Sequence, residues 1–509
     1  MNEIKQSLIE EINRRVQDKI LEPSNASLLI KLIQNAESKD EAINIAALGT
    51  TYKRTGLHFD KRLEKMSDSI RHFRKNEKLS FYTDGAKPVN KLIIGDNYEA
   101  LQNLLIQYRG AIDVIYIDPP YGKDSMGEFA RTNYENAITR DNLLSMLYPR
   151  LILAKQLLSD EGVIFCSIDD KNQAYVKCLF DEVFGEENFV NSFVWKKNSS
   201  GKTEKDKFTI NTEYILLFTK SKNYKLNNAY KALSKNSIKL YKFDDNDGRG
   251  KYQTVSLQKP ASPGPETTYD YIDNNGKVWK CPPKGWRMVE AKIRDLENDN
   301  RLVLKGSTLR VKDYWNEREN EGKRIDTLWD DLPENSAGTS QIEDILGSGR
   351  FSNPKPIELI ERCLQINYQN ATILDFFAGS GTTGHAVLDL NRQDGGNRTF
   401  ILCQLNEKTD INPNGIAYDV TAKRLKRIMT GECYDGAKDF PWIKDNKPYG
   451  GNLDVYEIGS VANFETAEGK NAFDVIDETL YGKQKFTTVK EKIDWVCQNF
   501  EKTQKKVEE

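Results

Sequence analysis

The sequence predicts an α/β protein whose core is a parallel, doubly wound sheet. Short β-branched segments alternate with amphipathic stretches of helical length from Lys91 to about Lys220, and again from Pro354 to about Ile428. Parallel strands need crossover connections of that length, whereas a hairpin needs only a few residues. From about residue 221 to 345 the periodicity fades and turn-forming pairs are frequent. The sheet domain is therefore expected to carry an irregular insertion.

The composition argues against several kinds of protein. A net charge of −2 over 509 residues gives no global basic field, so a nucleic-acid surface would have to be local. The seven cysteines form no C-x-x-C pair and the three histidines are scattered, which indicates reduced thiols in a cytoplasmic protein and argues against a metal site. Neither a hydrophobic signal region nor a stretch of membrane-spanning length is expected.

A polar tetrapeptide, Asp118-Pro119-Pro120-Tyr121, closes the apolar segment Ile112–Ile117, which predicts a buried strand. Prolines donate no backbone hydrogen bond and fix their own φ, so the chain just beyond this strand is stiff and its carbonyl oxygens are free to accept bonds. An acid, free carbonyls and an aromatic ring are thus held at the C-terminal end of a strand. In open α/β sheets, that edge is where ligands bind.

A glycine loop follows a second predicted strand, which ends at Asp375. In this loop Gly379 and Gly381 precede a helix that opens at Thr382, a geometry that brings backbone close to a cofactor. No Gly-Lys pair in the chain has the earlier glycine of a phosphate-binding loop, so ATP hydrolysis is not expected. Taken alone, the loop is equally compatible with a structural turn.

Together, the two motifs resemble those of the DNA amino-methyltransferases that use S-adenosylmethionine. Their order, with the tetrapeptide first and the glycine loop last, resembles the β class, whose Rossmann-like fold is circularly permuted. The segments that resemble the modification subunit of type III restriction-modification systems are Ile94–Leu101, Gly162–Asp170, Glu213–Leu216, Asn353–Pro356 and Asp375–Ala386. The resemblance implies S-adenosyl-L-methionine as cofactor, double-stranded DNA as substrate, a homodimer, and a separate restriction subunit with helicase and nuclease activity.

The resemblance also implies roles for individual residues. The tetrapeptide, Asp118 to Tyr121, would be catalytic: Asp118 and the Pro119 carbonyl would accept hydrogen bonds from the amino group of a flipped adenine, and Tyr121 would stack on the base. No proline here precedes a cysteine, as the nucleophile of cytosine-C5 enzymes requires. The cofactor-binding positions are Asp96, Asn353, Lys355, Asp375, Phe377, Gly379, Ser380, Gly381, Thr382 and Gln404. Gln404 stands where the family usually has an acid that binds the ribose hydroxyls.

Lysines crowd the junction between the sheet and the insertion, where they are interleaved with aromatic residues. That pattern is typical of a nucleic-acid surface, although lysine runs are more often plain solvated faces. In this family, an insertion of this kind resembles the target-recognition domain. The DNA-binding candidates are Lys196, Lys197, Lys202, Lys205 and Lys207.

These interpretations divide the chain into five regions. Residues 1–88 are expected to form a helical N-terminal region, with helices up to about residue 75. Residues 89–220 would be the catalytic half of the methyltransferase domain, and residues 346–445 its cofactor-binding half. Residues 221–345 would be the target-recognition domain, and residues 446–509 a C-terminal region.

The predicted function is methylation of adenine N6 within a short DNA sequence, in a type III restriction-modification system. Asp118 favours adenine over cytosine N4, for which serine is more usual in the tetrapeptide. Protein and RNA amino-methyltransferases more often carry asparagine there. The alternatives that stay open are a cytosine-N4 methyltransferase, a solitary methyltransferase without a restriction partner, and a DNA-recognition scaffold of a restriction complex.

Overall fold

The chain divides into two compact units, Met1–Leu63 with Glu128–Tyr148, and Glu64–Gly127 with Pro149–Glu509. The computed structural model describes residues 2–17, 21, 23–48, 69–85, 87–120, 139–200, 208–227, 230–231, 239–260, 264–303, 308–318, 323–366, 369–462 and 471–504.

The first unit contains three consecutive helices, α1 (Asn2–Gln17), α2 (Pro23–Asn35) and α3 (Lys39–Leu48). They pack on one another around a small apolar cluster in which Ile12 and Ile33 are fully buried. The apolar residues recur at helical spacing, which is why the sequence predicts these helices correctly.

Strands and helices alternate through the second unit. The strands are β1 (Ser69–Lys75), β2 (Phe81–Tyr82), β3 (Val89–Ile94), β4 (Ile112–Ile117), β5 (Leu158–Ile168), β6 (Phe189–Lys196), β7 (Thr212–Thr219), β8 (Tyr230–Lys231), β9 (Tyr252–Ser256), β10 (Tyr271–Ile272), β11 (Val278–Trp279), β12 (Leu302–Val303), β13 (Arg310–Tyr314), β14 (Lys323–Arg324), β15 (Leu328–Trp329), β16 (Thr372–Asp375), β17 (Thr399–Gln404) and β18 (Asn452–Ala462). The remaining α-helices of the described chain are α4 (Asn97–Tyr108), α5 (Thr139–Leu157), α6 (Gln173–Phe184), α7 (Glu290–Asn298), α8 (Trp315–Arg318), α9 (Asn335–Leu346), α10 (Ile357–Leu364), α11 (Thr382–Asp394), α12 (Lys423–Thr430), α13 (Trp442–Asp445), α14 (Ala472–Val475) and α15 (Val489–Gln504).

The main sheet has eleven strands within the described residues, in the order β1-β18-β3-β17-β16-β4-β5-β7-β6-β15, with β2 paired to β18. The strands from β18 to β5 are parallel, and β7 runs antiparallel to both β5 and β6. The predicted parallel α/β sheet is confirmed. The late strands β17 and β16 lie between the early strands β3 and β4, so the sheet brings together motifs that are far apart in the sequence.

The centre of the sheet is covered on both faces. In β5, every residue from Val163 to Ile168 is buried, although successive side chains point to opposite faces. A strand covered on both sides appears in the sequence as a continuous apolar run rather than an alternation. This explains why the central strands are easily predicted from sequence.

The insertion has an apolar core of its own. Its fully or largely buried residues include Tyr271, Trp279, Trp286 and Ile293. Strands β12, β13 and β9 form a three-stranded sheet, and β8 pairs with β14 where the chain enters and leaves this region. This part of the chain therefore has an apolar cluster separate from the core of the main sheet.

Three segments depart from the predicted regions. Residues 69–75, predicted to be helical, form the edge strand β1, and β18 from the C-terminal region lies beside β3 within the sheet. Inside the predicted insertion, Trp329 and Ile342 pack in the core of the main sheet. In each case the stabilising partner is distant in sequence, so local patterns carry little signal of it. The boundary of the insertion by packing lies before β15, earlier than residue 345.

Across the described residues, no helix is both long enough and apolar enough to cross a membrane. The same residues contain no cluster of three or more histidine, cysteine, aspartate or glutamate side chains placed to hold a metal ion.

Candidate active site

Four parallel strands end together at one edge of the sheet. Strand β3 leads into Asp96, β4 leads into Asp118, β16 ends at Asp375, and β17 ends at Gln404. These strands are neighbours in the order β3-β17-β16-β4, so their carboxyl ends coincide. A hydrogen bond from the N–H of Gly95 to the Gln404 carbonyl, 3.0 Å long, ties the first two ends together.

The loop after β16 requires glycine at two positions. Gly379 and Gly381 have φ values of +52° and +78°, in the left-handed region that favours glycine. A Cβ on Gly379 would lie 3.1 Å from the Phe351 ring, and one on Gly381 would lie 3.3 Å from the methyl group of Thr421. The loop therefore carries no side chain where it passes closest to its neighbours.

The side chain of Asp375 is hydrogen-bonded to two residues of this loop and the helix that follows it. Its buried carboxylate accepts hydrogen bonds from the N–H of Phe377 at 2.9 Å and from the hydroxyl of Thr383 at 2.5 Å. Burial raises the pKa of Asp375 to about 7, and Asp118 adds to the rise, while the two hydrogen bonds oppose it. Both carboxylate oxygens are thus used to hold the turn, and Phe377 remains half-exposed beside them.

The buried guanidinium of Arg424 is hydrogen-bonded to the glycine loop. The guanidinium of Arg424 is fully buried, and its Nη1 donates to the Ser380 hydroxyl at 3.2 Å and to the Thr382 hydroxyl at 2.9 Å. Its Nη2 lies 3.0 Å from Nδ1 of His385, and burial lowers the pKa of Arg424 to about 9. Thr382 also opens α11, whose N-terminus carries partial positive charge. The loop therefore offers a setting that favours an anionic group.

The side chains at the ends of β3 and β17 are bound to nearby groups. Asp96 caps α4, since its Oδ1 accepts from the N–H of Tyr98 at 2.7 Å, and the fully buried Arg150 donates to both of its oxygens at 3.3 Å. Gln404 accepts from the N–H of Gly379 at 2.6 Å. Asp96 nevertheless keeps 29% of its side chain exposed at the edge.

Asp118 makes a close ion pair. The Nζ of Lys355 lies 3.0 and 2.9 Å from the two carboxylate oxygens of Asp118, and 2.8 Å from Oε1 of Glu213. Lys355 and Glu213 are nearly fully buried, whereas 26% of the Asp118 side chain is exposed. Lys355 therefore contacts the carboxylate of the tetrapeptide. Asn353, two residues earlier, is exposed with a φ of +54°, and its contact with a cofactor stays a prediction.

The two described lysines of the DNA-binding prediction lie at this same edge. Strand β7 begins beside the end of β5, and Lys196 pairs with Thr212 at the start of β7. Lys196 lies 3.5 Å from Glu334, and Lys197 lies 3.6 Å from Glu213. Tyr121 and the remaining lysine candidates, Lys202, Lys205 and Lys207, lie outside the described residues.

Three charged residues at the site were not singled out by the sequence analysis. They are Arg150, Glu213 and Arg424, each buried in the main domain. Glu213 gave the clearest available signal, because it is an acid that directly precedes an otherwise apolar strand segment. The other two lie on helices, where the sequence does not show which face is covered.

The arrangement combines a hydrogen-bond acceptor for an amino group with a backbone cradle for a cofactor. Asp118 is presented at the end of β4, and the loop of Gly379 and Gly381 opens at the end of the adjoining strand β16. The donors around this loop suit a ligand that carries a carboxylate, such as the amino-acid portion of S-adenosylmethionine. The residues present therefore fit that cofactor.

The sequence profile of the family described as DNA methylase (N6_N4_Mtase) matches residues 112–409. The chain belongs to this family. A second profile, described only as an uncharacterised conserved protein, matches residues 5–114. The DNA methylase match spans both the tetrapeptide and the glycine loop, so the two motifs joined by the sheet belong to one family pattern.

The chain is also similar in sequence to individual DNA modification proteins. The StyLTI Mod subunit of a type III restriction-modification enzyme from Salmonella typhimurium is 34% identical over 352 residues, which covers 64% of this chain and 53% of that subunit. The EcoPI Mod subunit of Escherichia phage P1 is 28% identical, covering 81% of this chain and 71% of the subunit. The type II methyltransferase M.KpnI of Klebsiella pneumoniae is 30% identical, covering 70% of this chain and 90% of that enzyme. The chain thus spans about half the length of the StyLTI subunit.

Proposed function

We propose that the chain is a site-specific DNA methyltransferase that moves the methyl group of S-adenosylmethionine to N6 of adenine. The observation that carries the proposal is that Asp118 and the loop of Gly379 and Gly381 follow two adjoining parallel strands, in a chain of the DNA methylase family. One motif suits an amino group and the other suits the cofactor. Their adjacency is what a direct transfer between the two requires.

The cofactor, when bound, supplies an electrophilic methyl group on a sulfonium. In this proposal the glycine loop receives its methionine and ribose portion, with Arg424 and the N-terminus of α11 supplying positive charge for the carboxylate. Asp96 faces the adenine amino group of the cofactor, and Gln404 replaces the usual acid near the ribose, since an amide both donates and accepts. The predicted cofactor positions kept in this proposal are Asp96, Asn353, Asp375, Phe377, Gly379, Ser380, Gly381, Thr382 and Gln404. The remaining predicted position, Lys355, contacts Asp118 and Glu213.

The target nitrogen is a weak nucleophile, because its lone pair is delocalised into the base. The Asp118 carboxylate and the Pro119 carbonyl accept its two N–H groups, which orients the nitrogen and favours pyramidal character. The surplus proton that the nitrogen carries after transfer lies within reach of Asp118. Tyr121 stacks on the flipped base, which offsets part of the cost of unstacking it from the duplex.

The decisive experiment uses the purified chain, S-adenosylmethionine and unmethylated DNA, followed by digestion to nucleosides and mass spectrometry. We expect N6-methyladenine with the wild type and none with Asp118→Ala, which should still bind the cofactor in calorimetry. If N4-methylcytosine is found instead, the target base is cytosine and not adenine. A wild type that methylates neither base under conditions where it binds the cofactor would overturn the proposal.

We also propose that the chain works as the modification subunit of a type III system, as a homodimer with a separate restriction subunit. Two of the relatives above are Mod subunits of such systems, whereas M.KpnI is a type II methyltransferase. Sedimentation of the purified chain tests the dimer. Co-purification with the product of a neighbouring reading frame of helicase and nuclease character tests the partner, and a chain that methylates without any such partner would be a solitary enzyme.

A further inference from the structure

Lys355 is held among three carboxylate oxygens in the interior of the main domain. Its Nζ lies 3.0 and 2.9 Å from the two oxygens of Asp118, and 2.8 Å from Oε1 of Glu213. An ammonium group has three N–H donors and no acceptor, so these three oxygens match its donors in number. Only 7% of the Lys355 side chain and 3% of the Glu213 side chain are exposed. The lysine is thus fixed between the acid of the tetrapeptide and a second, deeper acid.

Fold stability alone is a weak reason for such an arrangement. Removing charges from water costs several kcal/mol per ion, and apolar residues of similar volume often stabilise a core as well or better. By contrast, Lys220, which directly follows β7, contacts a backbone carbonyl and an exposed acid. Lys220 donates to the Leu158 carbonyl at 2.7 Å and lies 3.4 Å from Asp160, whose side chain is 80% exposed.

We propose that Lys355 and Glu213 are a positioning pair for Asp118, holding its carboxylate ionised and in one orientation for the target amino group. The inference rests on the methyl transfer proposed above, and it gives Lys355 a role other than the predicted cofactor contact. An ionised carboxylate is an acceptor only, with about four lone-pair sites on its two oxygens. Because Lys355 contacts both oxygens, it fixes the orientation of the carboxylate.

Glu213 balances the charge of this pair. A lysine beside Asp118 would, by itself, offset the negative charge that stabilises the amino nitrogen as it becomes positive during transfer. With Glu213 on its other side, the group of Asp118, Lys355 and Glu213 carries a net charge of about −1 in its ionised form. Glu213 therefore offsets part of the positive charge that Lys355 brings to Asp118. Lys197 lies 3.6 Å from Glu213, so the four groups together are close to neutral.

Other titratable groups also face Asp118. The Tyr116 hydroxyl and the Cys166 thiol are completely buried and interact with its charge, and burial raises the pKa of each well above its usual value, so both stay neutral. Burial also raises the pKa of Asp375, to about 7, so this group titrates in the working range. A pH profile must therefore be compared between variants that all keep Asp375.

The test compares Lys355→Met, Glu213→Gln and the double variant with the control Lys220→Met. Single-turnover methylation of DNA is measured from pH 5 to pH 9, and S-adenosylmethionine affinity is measured by calorimetry. We expect Lys355→Met to lose transfer rate on the order of 100-fold, the usual scale for a misplaced reacting group, with cofactor affinity unchanged. Lys220→Met should match the wild type in both measurements.

The pH profile separates positioning from a merely structural role. Removing the positive charge of Lys355 makes Asp118 easier to protonate, so the pH of half-maximal rate on the acid side should rise. Removing the negative charge of Glu213 acts in the opposite direction, so that pH should fall or stay below the measured range. Equal profiles for the two variants would overturn the proposal.

Lys355→Met leaves two buried carboxylates without their cation, and this variant can fail to fold. The double variant removes one of those charges, so it should melt close to the control while its transfer rate stays low.

Wild-type transfer in the double variant, or in Lys355→Met, would overturn the inference. So would a loss of cofactor affinity in Lys355→Met as large as its loss of rate. A wild type without transferase activity would overturn the proposed function itself, whereas an active wild type with unaffected variants would overturn only this inference.

Discussion

The side chain of Gln404 holds the glycine loop, because its Oε1 accepts a hydrogen bond from the backbone N–H of Gly379 at 2.6 Å. Its Nε2 donates to the Leu405 carbonyl at 2.9 Å, so the amide is bound at both ends. An acid at this position could supply only the acceptor. The departure of this residue from the family pattern therefore has a structural counterpart in the loop itself.

We predict that Gln404→Ala weakens S-adenosylmethionine binding about fivefold, since one lost hydrogen bond is worth roughly 1 kcal/mol. Gln404→Glu should lose less, because it keeps the acceptor for Gly379. Calorimetric titration of both variants checks the order. If Gln404→Ala binds the cofactor as tightly as the wild type, the loop does not depend on this anchor.

The two glycines that flank α11 provide a matched pair for the loop. Gly381 at its start and Gly395 at its end both have left-handed φ values, +78° and +70°, but a Cβ on Gly395 would meet nothing within 4 Å. Replacing either by alanine should cost about 1 kcal/mol of unfolding free energy from the backbone alone. Only Gly381→Ala should also weaken cofactor binding, by roughly tenfold or 1.4 kcal/mol. Equal affinities in the two variants would mean that the loop is not the cofactor cradle.

Asp375 should make the protein less stable as the pH rises. Its pKa is about 7 in the folded chain, above the ordinary aspartate value of 3.8, because burial disfavours the charged form. Between these two values the folded state binds more protons than the unfolded state, so stability falls as the pH rises, and the loss is complete above about pH 7.

The variant Asp375→Asn removes this titration. From pH 5 to pH 8 the unfolding free energy of the wild type should fall relative to that of the variant, by about 1.4 kcal/mol for each pH unit between pH 5 and the pKa of about 7. Denaturant unfolding at the two pH values measures the shift. Parallel behaviour of the two proteins would mean that Asp375 is already charged at pH 5 in the folded state.

The sequence predicted most of the sheet because the central strands are buried on both faces, as in β5, and form unbroken apolar runs. It also placed Asp118 and the glycine loop each at the end of a predicted strand, and the parallel pairing of β4 with β16 brings those two strand ends side by side. It did not reveal β1 or β18, whose residues alternate with charges and pair only across the fold. Nor did it reveal that Lys355 contacts Asp118, because an ion pair between distant segments leaves no local pattern.

The inserted domain ends before β15, as judged by which residues pack in the core of the main sheet. The chain enters and leaves it at the pairing of β8 with β14, whereas Trp329, Ile342 and Ile345 beyond this point are buried in the core of the main sheet. Replacing residues 230–324 by those of a relative with another target should change the methylated DNA sequence but not the modified atom. Modified-base sequencing of DNA from cells that express the chimera reads both outcomes at once.

An exchange extended to residue 345 serves as the matched comparison, and it should lose about 1–3 kcal/mol of stability from mismatched core packing. An unaltered recognition sequence in the shorter chimera would remove target recognition from the insertion.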